Sequence, residues 1–213
     1  MRKWFENYWY HNKWKTLIAL FFIVTAIICA VQLLTRPKYD VYVVYVGNAG
    51  YVTGDDYQDI LTSLTQFASD VDGNGEVSVN FSRETFISDV DDPFSSSLNS
   101  NIGKFMQSAL ISNYYVFIID PVLYEEYKDS GLFVDLSDHV GDIPDEMIYD
   151  SKAIKLSSCK AYTLPGMSSV QKDALIVLKE VPYAGVKGNP KGVAAQSSHA
   201  ELIQKIIDYG TRQ

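Results

Sequence analysis

Residues 70–81, DVDGNGEVSVNF, hold the densest set of groups able to do chemistry in this chain. Asp70, Asp72 and Asn74 stand at places 1, 3 and 5, Gly75 at 6 and Ser78 at 9, the spacing with which an EF-hand or dockerin loop wraps oxygens around calcium. The twelfth place, which should supply a bidentate carboxylate, is Phe81. A phenylalanine there fits the buried face of a strand, so the same letters also spell a Gly- and Asn-rich turn held by positive φ and Asx turns. Two expectations follow for Asp70, Asp72, Asn74 and Ser78: a calcium loop, or a turn without an ion.

Hydrolytic chemistry has fewer markers. His139 and His199 are the only histidines outside the N-terminal segment, and no Gly-x-Ser-x-Gly, His-Glu-x-x-His or phosphate-loop pattern accompanies them. His199 reads as a first-turn residue of the last helix and neither histidine reads as catalytic. The acid pairs Asp55-Asp56 and Asp91-Asp92 read as helix-start and loop residues. Glycosidase-type carboxylates leave no spacing signature, so a cell-surface hydrolase stays open as an alternative to the non-enzymatic reading. Cys29 falls in an apolar run and Cys159 in the domain, so no disulfide framework exists and Cys159 reads as a small buried residue.

The elements that must position any site follow from periodicity. YDVYVVYV, 39–46, is a β-branched apolar run of the kind buried on both sheet faces. Thr53 with Asp56 forms a capping-box signature, and Tyr57, Ile60, Leu61, Leu64 and Phe67 share one helical face. Alternation in 77–81 predicts an edge strand, and Leu98, Ile102, Phe105, Met106, Ala109 and Leu110 trace a second helix. Strands are expected at 115–119 and 174–178, a short helix at 122–127, a hairpin within 152–164, a mobile loop at 183–196, and a last helix capped by Ser198 and Glu201. Strands alternating with helices predict an α/β fold of three layers with a mostly parallel sheet, order 2-1-3 plus later strands. Ligands of such sheets lie beyond the strand carboxyl ends, which selects Gly47, Asn48 and Tyr51 after the first strand and Asp120 after the third. Turn and cap roles alone account for the same residues.

Ahead of this domain, 39–213, lies TLIALFFIVTAIICAVQLL, 16–34, uncharged and roughly 28 Å long as a helix. Arg2, Lys3, Lys13 and Lys15 outnumber Glu6 before it, which predicts a cytoplasmic N-terminus and an extracytoplasmic domain. Trp4, Phe5, Tyr8, Trp9, Tyr10 and Trp14 make 1–15 an interfacial segment, and 35–38 a linker. A cleaved signal peptide or lipoprotein is the alternative, although no small-x-small cleavage pair or lipobox is well placed. The net charge of −8 becomes more negative once the basic N-terminus is set aside, which excludes a phosphate-neutralising nucleic-acid face.

YVFIID, 115–120, followed by VLYEEYKDSGLFVDLSD, 122–138, resembles the type II extracellular solute-binding proteins of bacteria. In that family a buried strand ends in an acid, a short helix follows, and a Gly-hydrophobic-x-x-Leu phrase closes a lobe; Asp120, Gly131, Leu132 and Leu136 match. The resemblance covers 39–138. It implies a single-lobe, membrane-anchored relative, since too little chain remains for a second lobe and a span replaces the lipid-anchored cysteine. The expectation is a membrane-anchored extracytoplasmic binding or interaction module, in contact with the lipid bilayer and a membrane-protein partner such as a transporter, with a structural tether of an envelope assembly as a third reading.

Overall fold

A computed structural model describes residues 2–34, 38–87, 95–182 and 189–210. It separates into two units, 1–38 and 39–213. The first is a single helix, α1 (Arg2–Leu34). Its window Asn12–Gln32 has a mean hydropathy of 2.3 and is nowhere buried, long and apolar enough to cross a bilayer; a signal sequence meets the same criterion. The expected interfacial segment and span are one continuous helix because neither glycine nor proline interrupts 2–34. Thr16 and Thr25 turn their hydroxyls onto the carbonyls of Asn12 and Phe21, which conceals two polar groups within the helix.

The second unit is a five-stranded sheet between two layers of helices and turns, in the order β2-β1-β3-β5-β4. Strand β1 (Val41–Asn48) lies at its centre, as its apolar run requires, paired in parallel with β2 (Val79–Phe86) and β3 (Val116–Ile119). Helix α2 (Asp56–Thr65) crosses from β1 to β2 on one face, and α3 (Ser95–Ala109) from β2 to β3 on the other. The Asp56 carboxylate takes the Thr53 N–H and hydroxyl at 2.9 and 2.7 Å, which is one half of the expected capping box; the residue that caps the helix is Asp55 and not Thr53, and its side chain makes no cap bond.

Beyond β3 the sheet ceases to be parallel. Only the seven-residue α4 (Pro121–Tyr127) follows, too short to be a crossover, and the chain runs on through irregular turns. β5 (Leu175–Leu178) therefore enters antiparallel to β3, and the three-residue β4 (Ala153–Lys155) antiparallel to β5. The expectation of a mostly parallel sheet is corrected to a mixed one: β5 is buried on both faces, and such a strand has the same apolar pattern in either direction. The expected hairpin in 152–164 is absent. Residues 156–158 and 160–163 form 3₁₀ turns instead, and Gly166, at φ 72°, brings the next turn against the backbone of Ile60 where any side chain would collide.

The last helix, α5 (Pro190–Asp208), begins eight residues before the expected cap. Asn189 caps it by accepting the Gly192 N–H at 2.9 Å with Pro190 in the first turn, while Ser198 lies mid-helix with its hydroxyl on the Ala194 carbonyl. Of the expected loop 183–196, residues 183–188 lie outside the described residues, as does Asp91-Asp92; 190–196 is helix. One core packs α2, α5 and the 134–170 turns on one sheet face, through Val43, Tyr45, Ile118, Ile176, Leu202 and Ile206. The other packs α3 and α4 against Val44, Val46, Phe117 and Val177. Leu110, expected on the α3 stripe, is exposed just past the helix end.

Candidate functional site

Two hollows lie at opposite ends of the sheet. At the carboxyl ends, β1 and β3 stop side by side because they are parallel and in register, Val46 beside Ile119, with the Asp120 N–H on the Val46 carbonyl at 2.9 Å. Their connections leave in opposite directions, to β2 and towards β5, so this is a topological switch point of the sheet. A cleft of about 410 Å³ opens here, lined by Asn48, Tyr51, Phe86, Ile87, Asn99, Asp120, Val122 and Gln171.

Each wall has a local cause. The Asn48 side chain accepts the Gly50 N–H at 2.8 Å and its carbonyl accepts the Tyr51 N–H, an Asx turn that ends β1. The next residue, Val52, is buried at φ 54°, an uncommon conformation for a β-branched residue, and the Arg83 guanidinium holds its carbonyl. Tyr51 is thereby fixed at the mouth, 43% exposed. Asn99 of α3 clamps Ile87 by a reciprocal pair of 3.2 Å bonds. Asp120 caps α4 through the Val122 N–H at 2.8 Å and takes the Gln171 amide at 2.7 Å. Gln171 Oε1 is buried and has no partner among the described residues. Behind the cleft, burial raises the Tyr45 phenol above its ordinary range, and the Asp120 charge adds to this.

Asn48, Tyr51 and Asp120, selected by the strand-end rule, thus share one cleft. Gly47 does not line it. It is buried, and a side chain there would overlap the Tyr45 hydroxyl, so its role is to leave room for that ring. Gln171 lies 51 residues from Asp120 in sequence and carries no local signal; only the fold brings the two together.

At the amino ends the hollow is larger, about 590 Å³, with Tyr39, Tyr42, Tyr115 and His199 among its walls. The buried polar side chains at this end are held by partners within the chain. His199, expected near a helix start, is buried mid-helix: its Nδ1 donates to the Ala195 carbonyl at 2.5 Å, and its Nε2 accepts the Tyr42 N–H at 2.8 Å. Burial draws this imidazole down to about 4. Lys179, fully buried, gives its ammonium to the carbonyls of Ala109, Leu110 and Ser112 at the end of α3 and lies 4.4 Å from the Tyr115 ring centre. Burial lowers it to about 8. His139 is exposed, and Cys159 is buried beside Met147 with its thiol pushed up to about 12, an inert position.

The acidic loop lies at this same end. Asp40, which spacing did not single out, joins Asp70 and Asp72 with carboxylate oxygens within 4.8 Å of one another. Asp40 accepts the N–H groups of Val71, Asp72 and Ser78 and the Ser78 hydroxyl. Burial pushes its carboxyl up, but these bonds outweigh burial and hold it below the usual carboxylate value. Asp70 accepts the N–H groups of Gly73, Asn74 and Gly75, and Asn74 accepts that of Glu76. If calcium bound here, Asp40, Asp70 and Asp72 would be the ligands with oxygens close enough. Ser78 and Asn74 are already committed to the loop, and Phe81 is a core residue of β2.

No protein-family model, curated protein or solved structure matches this chain.

Proposed function

We propose that this chain is a single-pass, membrane-anchored binding module of a bacterial cell whose outer domain, 39–213, holds a small ligand in the cleft at the carboxyl ends of β1 and β3, in the service of a membrane partner such as a transporter. The observation that carries the reading is the convergence of Asn48, Tyr51, Asp120 and Gln171, from three separate stretches of chain, on one cleft at the switch point of the sheet. Gly131 at φ 78° and the buried Leu132 and Leu136 supply the closing phrase of the solute-binding-like lobe that follows Asp120. The basic segment before 16–34 favours an N-terminus inside and the domain outside, and the length of the apolar run together with its lack of a well-placed small-x-small pair favours retention of the helix. Binding is favoured over hydrolysis by a carboxylate pair because Asp120 is the one carboxylate among the described residues lining the cleft.

Purification of the full chain in mild detergent, followed by a thermal screen of small polar molecules, tests the reading. A ligand should raise the midpoint, Tyr51→Ala should abolish the rise, and a transport protein should co-purify. No stabilisation by any molecule, together with no reproducible partner, would sink it. Protease added to intact cells should digest 39–213; protection of the domain would reverse the assigned orientation.

A further inference from the structure

Among the described residues the floor of the cleft is made of acceptors, and its donors, the Tyr51 hydroxyl and the Asn48 amide, stand on the β1 side. The Asp120 carboxylate is 4% exposed, and each of its oxygens takes one hydrogen bond, from Val122 N–H and from Gln171 Nε2, leaving further acceptor capacity on both. Gln171 spends its amide N–H on Asp120, which orients Oε1 as a second acceptor, buried and without a donor among the described residues. A buried acceptor left unmet costs about 1–3 kcal/mol, so the site is completed by a group that donates. The Asn99 amide is occupied on both sides by Ile87. Among the described residues no lysine or arginine lines the cleft. Around this acidic floor stand apolar surfaces, Phe86 and Ile87 inside, the Tyr51 ring and Val122 at the mouth, where Val122 is 73% exposed.

We infer that the cleft takes a primary ammonium group on a short apolar stem, the class that includes aliphatic amines. The ammonium carries the charge that Asp120 attracts and, once a turn of the Gln171 side chain brings Oε1 to the cleft, the N–H that this oxygen lacks, while the stem lies along Phe86, Ile87 and Val122 and the Tyr51 ring faces the cation. An anion would be repelled by the Asp120 carboxylate, with no lysine or arginine among the described lining residues to offset it. A quaternary ammonium would satisfy the charge and leave Oε1 unmet. This rests on the reading of the cleft as the ligand site and adds the ligand's chemistry to it.

The test uses the full chain in lipid nanodiscs with ¹⁵N-labelled glutamine, following the Gln171 side-chain amide signal during titration with n-butylammonium, tetramethylammonium, n-butanol and butyrate. n-Butylammonium should saturate the shift of that signal at concentrations at least tenfold below tetramethylammonium and n-butanol, and butyrate should leave it in place. Asp120→Asn keeps an acceptor for the α4 cap and removes the charge; it should weaken n-butylammonium at least tenfold, whereas Lys172→Gln, outside the cleft, should not. Butyrate or n-butanol binding as tightly as the amine would overturn the ammonium assignment and leave the cleft as a ligand site. Absence of any shift with all four probes would overturn both. Unchanged amine affinity in a folded Asp120→Asn protein would overturn the assignment on its own.

Discussion

The two ends of the sheet differ in what their buried polar groups have found. At the amino end every group named above is met within the chain: His199 by Ala195 and Tyr42, Lys179 by three carbonyls, Asp40 by four donors. At the carboxyl end Asp120 retains acceptor capacity, and Gln171 Oε1 has no partner among the described residues. Size misleads here, because the larger hollow is the one at the saturated end. Incomplete satisfaction separates a surface built for stability from one with capacity for another molecule, so substitutions at the amino end should cost folding and those at the carboxyl end should cost binding.

The largest effect is expected from Lys179→Met, which strands three carbonyls at the end of α3 and should lower the unfolding free energy by about 4 kcal/mol in urea titration. A loss under about 1 kcal/mol would erase the distinction between the ends. Acid comes next. The folded His199 titrates near 4 and the unfolded one near 6.5, so below 6.5 only the unfolded chain gains the proton. Its stability contribution is intact above pH 6.5 and falls by about 3 kcal/mol as pH drops to about 4. His199→Gln should flatten that part of the pH–stability curve, and a slope that survives would assign the acid sensitivity elsewhere. Asp40→Asn replaces one acceptor oxygen by a donor that faces N–H groups, for a loss of about 2 kcal/mol measured by thermal unfolding. Tyr51→Ala, at the exposed mouth, should change stability by less than about 0.5 kcal/mol while removing ligand stabilisation. At the bottom of the scale, millimolar calcium should leave the midpoint where it is, since Asp40 has both oxygens fully engaged and Asp70 has three donors already; a rise of several degrees would make the acidic loop a metal site after all.

Local periodicity made β1, α2, β3 and the Thr53–Asp56 contact readable, since each follows from residues within a dozen positions. The strand-end rule likewise brought Asn48, Tyr51 and Asp120 to one cleft from sequence. What escaped it was non-local or ambiguous. Ser198 and Glu201 imitate a capping box inside α5, while the true start at Asn189-Pro190 is disguised by Gly192 in the first turn. The burial of His199 had a signal, its place four residues before Ile203 on the apolar stripe, overshadowed by its polarity. Strand direction beyond β3 and the pairing of Gln171 with Asp120 depend on how the 128–174 segment returns, and no short window contains that.

The bond from the Tyr42 N–H to His199 Nε2 joins residues 157 apart in sequence. Translation delivers the central strand well before the helix that pins it. The apolar β1 run therefore waits for the next 157 residues before its final cover is made, and the domain cannot close until α5 has emerged. A chain stalled before residue 199 would present the β1 face to chaperones and proteases without that cover.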